Sequence, residues 1–525
     1  MSLQLDMPRL DLNEQEAQTR FDRLQERLVG LWETIDDLDE QTGEHTTVVV
    51  PSLTVDFAAL HGSILQAYEE RFLFLLLLLR QPRSRLIYIT SQPIHSNVVD
   101  YYLGMLPGVI TSHARQRLFM LAPYDGAPQP LSIKLLQRPR LLQRIRDLIP
   151  RPEQAHLVTF NTTRHERDLA LCLGIPLYGA DPRFQELGSK SGCRQLFSEA
   201  GVAHPAGYEG LNTVNEIVDA LTDLCASRPS VTEAMLKQND GVSGEGNAIV
   251  DLSNLDVSSR PSVRERVERM HVVAQGVSPA QFLEELEAEG GVIEERISGE
   301  EIASPSVQLR ITPLGEVQLL STHDQWLGGP GKQKYLGCIF PARRDYATTI
   351  ANEALKVGQR LAEAGVLGRL AIDFVCARQT DGWKSYAIEL NLRKGGTTHP
   401  FLTLQFLTDG KYDGQTHEFR IANQKKCYVA TDSLISESYR VFTPDDLFDV
   451  AVRCDLHYDQ TYQTGVIFHM MSAIGDQGRL GLTAIANSEQ AARELYQRTV
   501  AALDEEAQIA LDTRWQLPED SPQSS

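Results

Sequence analysis

The chain has 525 residues, enough for roughly three to four domains at ~150 residues each, and 42% hydrophobic with 23% charged residues excludes disordered and fibrous classes. A formal charge of −20 opposes general attraction to nucleic acid or anionic membranes, so neither is an expected partner. Seven scattered cysteines without a CxxC pair argue against a disulfide framework or a thiolate zinc site, and an acidic N-terminus without an apolar stretch predicts a cytoplasmic protein.

Between residues 12 and 41, Phe21, Leu24, Leu28, Leu31, Ile35 and Leu38 recur at alternating steps of three and four, the seam of an amphipathic helix. Packing against the protein's own body is one use of such a seam; a homo-oligomer contact is the other. A short strand at 47 to 50, Pro51 and a second long helix from about 56 to 80 complete an N-terminal helical region over 1 to 83. Its run FLFLLLLL at 72 to 79 falls far short of the ~20 apolar residues that span a bilayer, so a helix buried on all sides is expected.

From residue 85 the texture changes to short apolar runs, RLIYITS, RLFMLAP and HLVTFNTT, separated by helical stretches. Strands alternating with helices predict a doubly wound parallel sheet over 84 to 185. No GxGxxG opens a helix after any of them, so the dinucleotide fingerprint is missing. Residues 186 to 400 hold the Gly-rich loops and charged strands. An α+β segment follows over 401 to 515, with TGVIFHMMSAI, GRLGLTAIA and a terminal helix near 489 to 506, and a tail at 516 to 525 is expected to be disordered. The fold class is α/β, α+β overall.

Three clusters carry chemistry. In AIDFVCARQTDGWKSYAIELNLRKGGTTHP, the period of two places Asp373 on one face of a first strand and Glu389, Asn391 and Arg393 on one face of a second. Two carboxylates and an amide oxygen that converge are costly to bury unless a cation sits among them, and hard oxygen donors suit Mg2+. In MLKQNDGVSGEGN, an apolar lead-in delivers Lys237 to a loop with Gly241, Ser243, Gly244 and Gly246, whose backbone can approach phosphates. Neither GSKSGCR nor GGPGKQK satisfies the P-loop spacing. In GGVIEERISGEEI, an apolar strand enters Glu294 and Glu295, then Arg296, Ile297 and Glu301, a run suited to a connector between two lobes. His399, just after the Gly-Gly-Thr-Thr turn, either orients a substrate or takes a proton, or is a hydrogen-bonded structural residue; the same holds for His323 and His469. No HExxH or paired His/Cys spacing suggests zinc.

Taken in order, YYLGMLP, GSKSGCRQLFSEAGVAHPAG, the Lys237 loop, EERISGEE, HDQWLGGPGKQKYLGCIFPA and IELNLRKGGTTHP resemble the ATP-grasp superfamily, and in particular the peptide ligases of the pheganomycin-ligase type. The resemblance implies a pre-grasp α/β domain, two lobes clasping ATP over 186 to 400, and a family-specific C-terminal domain. It further implies that Lys190 and Lys237 contact ATP phosphates, that Glu294, Glu295, Arg296 and Ile297 line the adenine connector, and that Glu301 holds ribose. Asp373, Glu389 and Asn391 match the Mg2+ ligands, with Mn2+ as a substitute, and Arg393 matches the residue that steadies the phosphoryl group. Arg310, in PSVQLR, is a further candidate for contacting substrate or phosphate, with a surface strand arginine as the other reading. The implied activity is ligation of a small-molecule or peptide carboxylate to an amine through an acyl phosphate. A carboxylate is a poor electrophile until its oxygen becomes a leaving group, and gathering the charges of that transfer in one place calls for a metal, two lysines and an arginine. A kinase-like enzyme or a nucleotide-binding protein without catalysis are the competing readings.

Overall fold

The computed structural model describes residues 12–36, 44–53, 62–241, 246–329 and 334–513. Its backbone is organised by three sheets. The first is parallel and four-stranded, in the order Leu118–Leu121, Ser84–Ile89, His45–Val50, Ala155–Thr159. All three predicted strands are present, but the central position belongs to His45–Val50, whose six residues are all buried. The expected boundary between 83 and 84 therefore passes through the middle of one sheet. A strand buried on both faces shows no alternation, so HTTVVV gave no hint of its partners.

The seam between 12 and 41 forms two helices, Glu14–Gln25 and Arg27–Asp36. Asn13 caps the first through a reciprocal pair with Glu16. Phe21 is fully buried in the core of the parallel sheet, and Leu28 packs with Trp32 and Tyr178. Gln25 fixes the docking by donating to the Leu177 carbonyl and accepting from the Leu177 N–H, both at 2.8 Å. Phe21, Leu28 and Leu31 are thus consumed within the chain rather than at an oligomer contact; Leu38 lies outside the described residues.

The second expected helix starts outside the described residues and changes character along its length. Ser63–Glu70 is an α-helix, but the leucine run continues as a tighter 3-10 helix, Arg71–Arg80. Phe72 to Leu77 and Leu79 are buried against the Thr398–Thr408 helix and the C-terminal strands. Burial on all sides holds as expected, while the sequence carries no signal for the tighter winding.

The second sheet is antiparallel: Gly207–Leu211, Gly291–Glu295, Glu233–Gln238, Asn247–Asp251, His271–Val272. The third has eleven strands. Gly368–Gln379 lies between Pro305–Ile311 and Gly382–Asn391, and the sheet runs on through Val317–Gly328 and Lys334–Phe340 into Gln424–Ile435, which also pairs with Arg479–Ala486. The segment after 401 therefore continues the same sheet, and the boundary expected at 400 falls inside the Thr398–Thr408 helix. The terminal helix, Glu489–Asp512, extends six residues past the expectation.

Because Phe21 fills a site closed by the parallel sheet, Phe21→Ala should cost about 3–5 kcal/mol. The denaturation midpoint of the variant reads this directly, and an unchanged midpoint would show the helix to be an appendage.

Candidate active site

The second and third sheets face each other across the helix Lys190–Glu199, capped by Ser189. Its residues at i and i+4 share a face. Lys190 reaches Glu389 of the large sheet at 2.6 Å, and Arg194 reaches Glu294 of the small sheet at 2.9 Å. Glu294 is closed from the other side by Lys237, also at 2.6 Å. One chain of charge therefore runs from sheet to sheet.

Register places the metal candidates. Asp373 and Glu389 are cross-strand partners, with the ladder slipping immediately after Asp373, and Asn391 pairs opposite Ala371 two positions along. The Asn391 amide donates to Asp373 Oδ2 at 3.2 Å, which leaves its own oxygen available, and Gln325 donates to Asp373 Oδ1 at 2.7 Å. Burial, and then the Glu389 charge, push the Asp373 carboxyl up to about 6. Burial pulls Glu389 the same way, but Lys190 and Arg393 outweigh it and hold its carboxyl below the usual range. Glu389 also feels Lys237, so the charges of both sheets share one volume. Two carboxylates, one raised by the other, beside an amide oxygen form the donor set that a hard divalent cation satisfies.

Arg393 follows directly. Its guanidinium lies over the Phe160 ring, 5.4 Å from the centroid, and Phe160 stands just past the C-terminal end of the Ala155–Thr159 strand. Lys394 anchors the same turn by donating to the Thr159 carbonyl at 2.6 Å, and burial pulls its ammonium down to about 7. The parallel sheet thus contributes to the site at its carboxyl edge, where open α/β sheets present ligands.

Gly241 and Gly246 are the legs of the hairpin between Glu233–Gln238 and Asn247–Asp251; Ser243 and Gly244 lie outside the described residues. A Cβ on Gly241 would come within 2.7 Å of the Gly246 Cα, so only glycine allows the legs this close. Asn239, on the same hairpin, receives the Lys190 N–H at its carbonyl and the Ser191 hydroxyl at its side chain, 3.2 and 2.8 Å away.

Six of the expected site residues have partners of their own. The Glu294 side chain points to Lys237 and Arg194 and its backbone is paired on both edges, so it belongs to the charge chain and not to a purine-facing connector. The N–H groups of Glu295 and Arg296 are taken by the carbonyls of Ala206 and Glu233, and the Arg296 guanidinium by Glu233, so the crossing between sheets begins at Ile297. Glu301 stands on an edge strand, ion-paired with Arg343. Arg310 lies over Trp32 and bonds Gln318, four residues and roughly 13 Å along its strand from Ser306, which bonds Asp373. His399 is buried at 4% exposure against Asp432 and His469, and burial pushes its imidazole down to about 3. It is a neutral interior group on the far side of the turn, and no hydrogen bond joins it to Asp373 or Glu389. Arg194, Gln325 and Ser306 were not singled out in the sequence; Arg194 was legible as the i+4 neighbour of Lys190, and the other two become visible only through strand pairing.

A family model described as "IQCH-like, ATP-grasp" matches residues 183–275 and 277–415, and one described as "PGM1 C-terminal domain" matches 446–499. The L-propargylglycine–L-glutamate ligase of Streptantibioticus cattleyicolor is 29% identical over 444 residues, covering 83% of this chain and 88% of its own. IQ motif-containing protein H of Danio rerio is 25% identical over 485 residues and covers 82% of this chain, which spans 45% of that relative. Biotin carboxylase from Campylobacter jejuni shares the fold at a TM-score of 0.53, over 90% of this chain and 97% of its own, at 12% identity. The biotin carboxylase domain of Hydrogenobacter thermophilus 2-oxoglutarate carboxylase, solved with MgADP, does so at 0.51, over 87% and 90%, at 13% identity.

Residues 183–275 and 277–415 thus match an ATP-grasp domain, and the chain shares its fold with the biotin carboxylases. No helix among the described residues is long and apolar enough to cross a membrane.

Cation binding at Asp373 requires its carboxyl to be ionised, and that carboxyl titrates near 6. Mg2+ affinity in the presence of ADP should therefore be flat above pH 7 and fall about tenfold per unit well below pH 6. Titration calorimetry across pH 5 to 8 checks this; constant affinity over that range would remove Asp373 from the donor set.

Proposed function

We propose that this protein is a cytoplasmic ligase that phosphorylates the carboxylate of an amino acid or short peptide and joins the resulting acyl phosphate to an amine, releasing ADP and phosphate. The observation that carries the reading is the meeting of Lys190, Arg194, Lys237 and Arg393 with Glu294, Asp373 and Glu389 in one volume between the sheets. Four cations against three carboxylates leave that volume prepared for an anion. The choice of amino-acid substrates follows the relative named for L-propargylglycine and L-glutamate.

In this reading Lys237 and Lys190 turn from Glu294 and Glu389 toward the phosphates of ATP, and the glycine hairpin closes over them. Asp373, Glu389 and the Asn391 amide oxygen hold Mg2+, which offsets the charge of the terminal phosphates. Arg393, kept flat by Phe160, faces the phosphoryl group in transit, where a guanidinium contributes most to the transition state. The substrate carboxylate displaces ADP from the terminal phosphorus, and the amine then attacks the acyl carbon and expels phosphate. The chain crosses between sheets at Ile297 to Gly299, beside the small sheet, and this crossing offers backbone groups to the purine.

Incubation with ATP, Mg2+, a panel of amino acids and hydroxylamine should yield a hydroxamate and one ADP per product, with no AMP. A phosphorylated product stable to hydroxylamine would instead mark a kinase, and AMP would exclude transfer of the terminal phosphoryl. Glu389→Gln keeps the side-chain shape but loses the charge on the cation and the partner of Lys190, so turnover should fall at least about a hundredfold in a folded protein. Near wild-type ADP release by that variant would refute the role of Glu389.

A further inference from the structure

His399, Asp432 and His469 come from three distant parts of the chain and meet in the interior. His399 is the second residue of the Thr398–Thr408 helix, Asp432 lies in the Gln424–Ile435 strand, and His469 ends the Gly465–His469 strand. All three are buried. The two Nε2 atoms are 3.0 Å apart, and both approach the same oxygen, Asp432 Oδ1, at 3.2 and 2.9 Å.

No placement of protons turns these three contacts into three hydrogen bonds. The contact between rings needs one N–H and one lone pair, and the ring that offers the lone pair then faces the carboxylate oxygen with no hydrogen between them. If both rings carry the proton on Nε2, two donors oppose each other at 3.0 Å. A cation is the one occupant that uses all three lone pairs together. A point about 2 Å from each atom lies about 1 Å out of their plane, within the reach of imidazole and carboxylate ligands to a small divalent ion.

The surroundings are built to hold this arrangement. Asp432 sits where its strand's pairing slips between Thr431 and Leu434, an irregularity that re-aims a side chain. Its other oxygen, Oδ2, accepts from the buried Arg71 guanidinium at 2.6 Å, the outer partner that fixes a ligating carboxylate in one orientation. Opposite His469 in the ladder stands Gly481, where a Cβ would fall 2.2 Å from His469 Nε2. Only glycine leaves that nitrogen its place. His399 Nδ1 has no hydrogen-bond partner among the described residues.

We propose that His399, Asp432 and His469 form a second metal site, separate from Asp373, Glu389 and Asn391, that takes a borderline divalent cation of the Zn2+ class. Two imidazoles and one carboxylate select such an ion over Mg2+, which prefers oxygen ligands throughout. A solvent oxygen completes the tetrahedron. The ion pins the helix that follows the Gly395–Gly396 turn to two strands of the C-terminal segment, and so fixes the turn carrying Arg393 six residues upstream. It is a clamp, with no part in the chemistry of the phosphates.

Elemental analysis of the full-length protein, dialysed against chelator and then against Zn2+ followed by metal-free buffer, should give one Zn2+ per chain. His399→Ala and His469→Ala should each lower it to background, while Asp373→Asn should retain it. Should the histidine variants fail to fold, Co2+ supplied to the wild-type protein should give the intense visible bands of a four-coordinate nitrogen and oxygen site, and Zn2+ should remove them stoichiometrically. A wild-type protein that holds no stoichiometric Zn2+, or folded histidine variants that hold it undiminished, would overturn the assignment.

Discussion

The ion pairs on one face of the Lys190–Glu199 helix are the constraint on which the active site depends. Lys190 and Arg194 are one turn apart, and each neutralises a carboxylate that its own sheet buries. Burying either carboxylate alone would cost several kcal/mol, and removing one partner of such a pair leaves an uncompensated interior charge. The helix is therefore held to both sheets by the same electrostatic need, and the distance between the sheets is set by the length of two basic side chains. Arg194, in this view, shapes the cleft from behind Glu294, and Lys190 stands at its floor.

The carboxylates themselves are arranged by strand pairing. Asp373 and Glu389 face each other across the ladder because the two strands are joined by a short turn, and the slip after Asp373 brings the two groups close enough to raise one at the expense of the other. Gln325 and Ser306 reach Asp373 from neighbouring strands of the same sheet. Three chain segments thus serve one oxygen-lined spot, and the fold rather than local sequence makes them neighbours.

This distinction explains what could be read from the sequence and what could not. Period-two alternation placed Glu389 and Asn391 on one face, and the glycine spacing marked the hairpin after Lys237, because both signals are local; the strand ends at Asn391, so Arg393 follows in the turn and not on that face. The partners of Glu294 were not legible, because an acidic residue ending an apolar strand looks exposed until residues 57 and 100 positions away are brought beside it. The strand His45–Val50 was detected, but its place at the centre of a sheet depends on residues beyond 84 and 155. His399, Asp432 and His469 are separated by more than thirty residues at each step, so no spacing rule could have gathered them. Arg310 carried a site-like sequence context, yet its strand delivers it to Trp32 at the N-terminal helices.

The eleven-stranded sheet joins the strands of Asp373 and Glu389 to the C-terminal segment without a break. That continuity makes the large lobe an anvil: its strands cannot separate without tearing ladder hydrogen bonds. The small sheet is tied in differently, by the chain entering before Gly207 and leaving after Arg296 and by the basic face of one helix. The five-stranded sheet is thus held by two chain crossings and by ion pairs, with no ladder to the large sheet among the described residues. Those pairs share one carboxylate, so any displacement of Lys237 would leave Glu294 with Arg194 as its remaining partner.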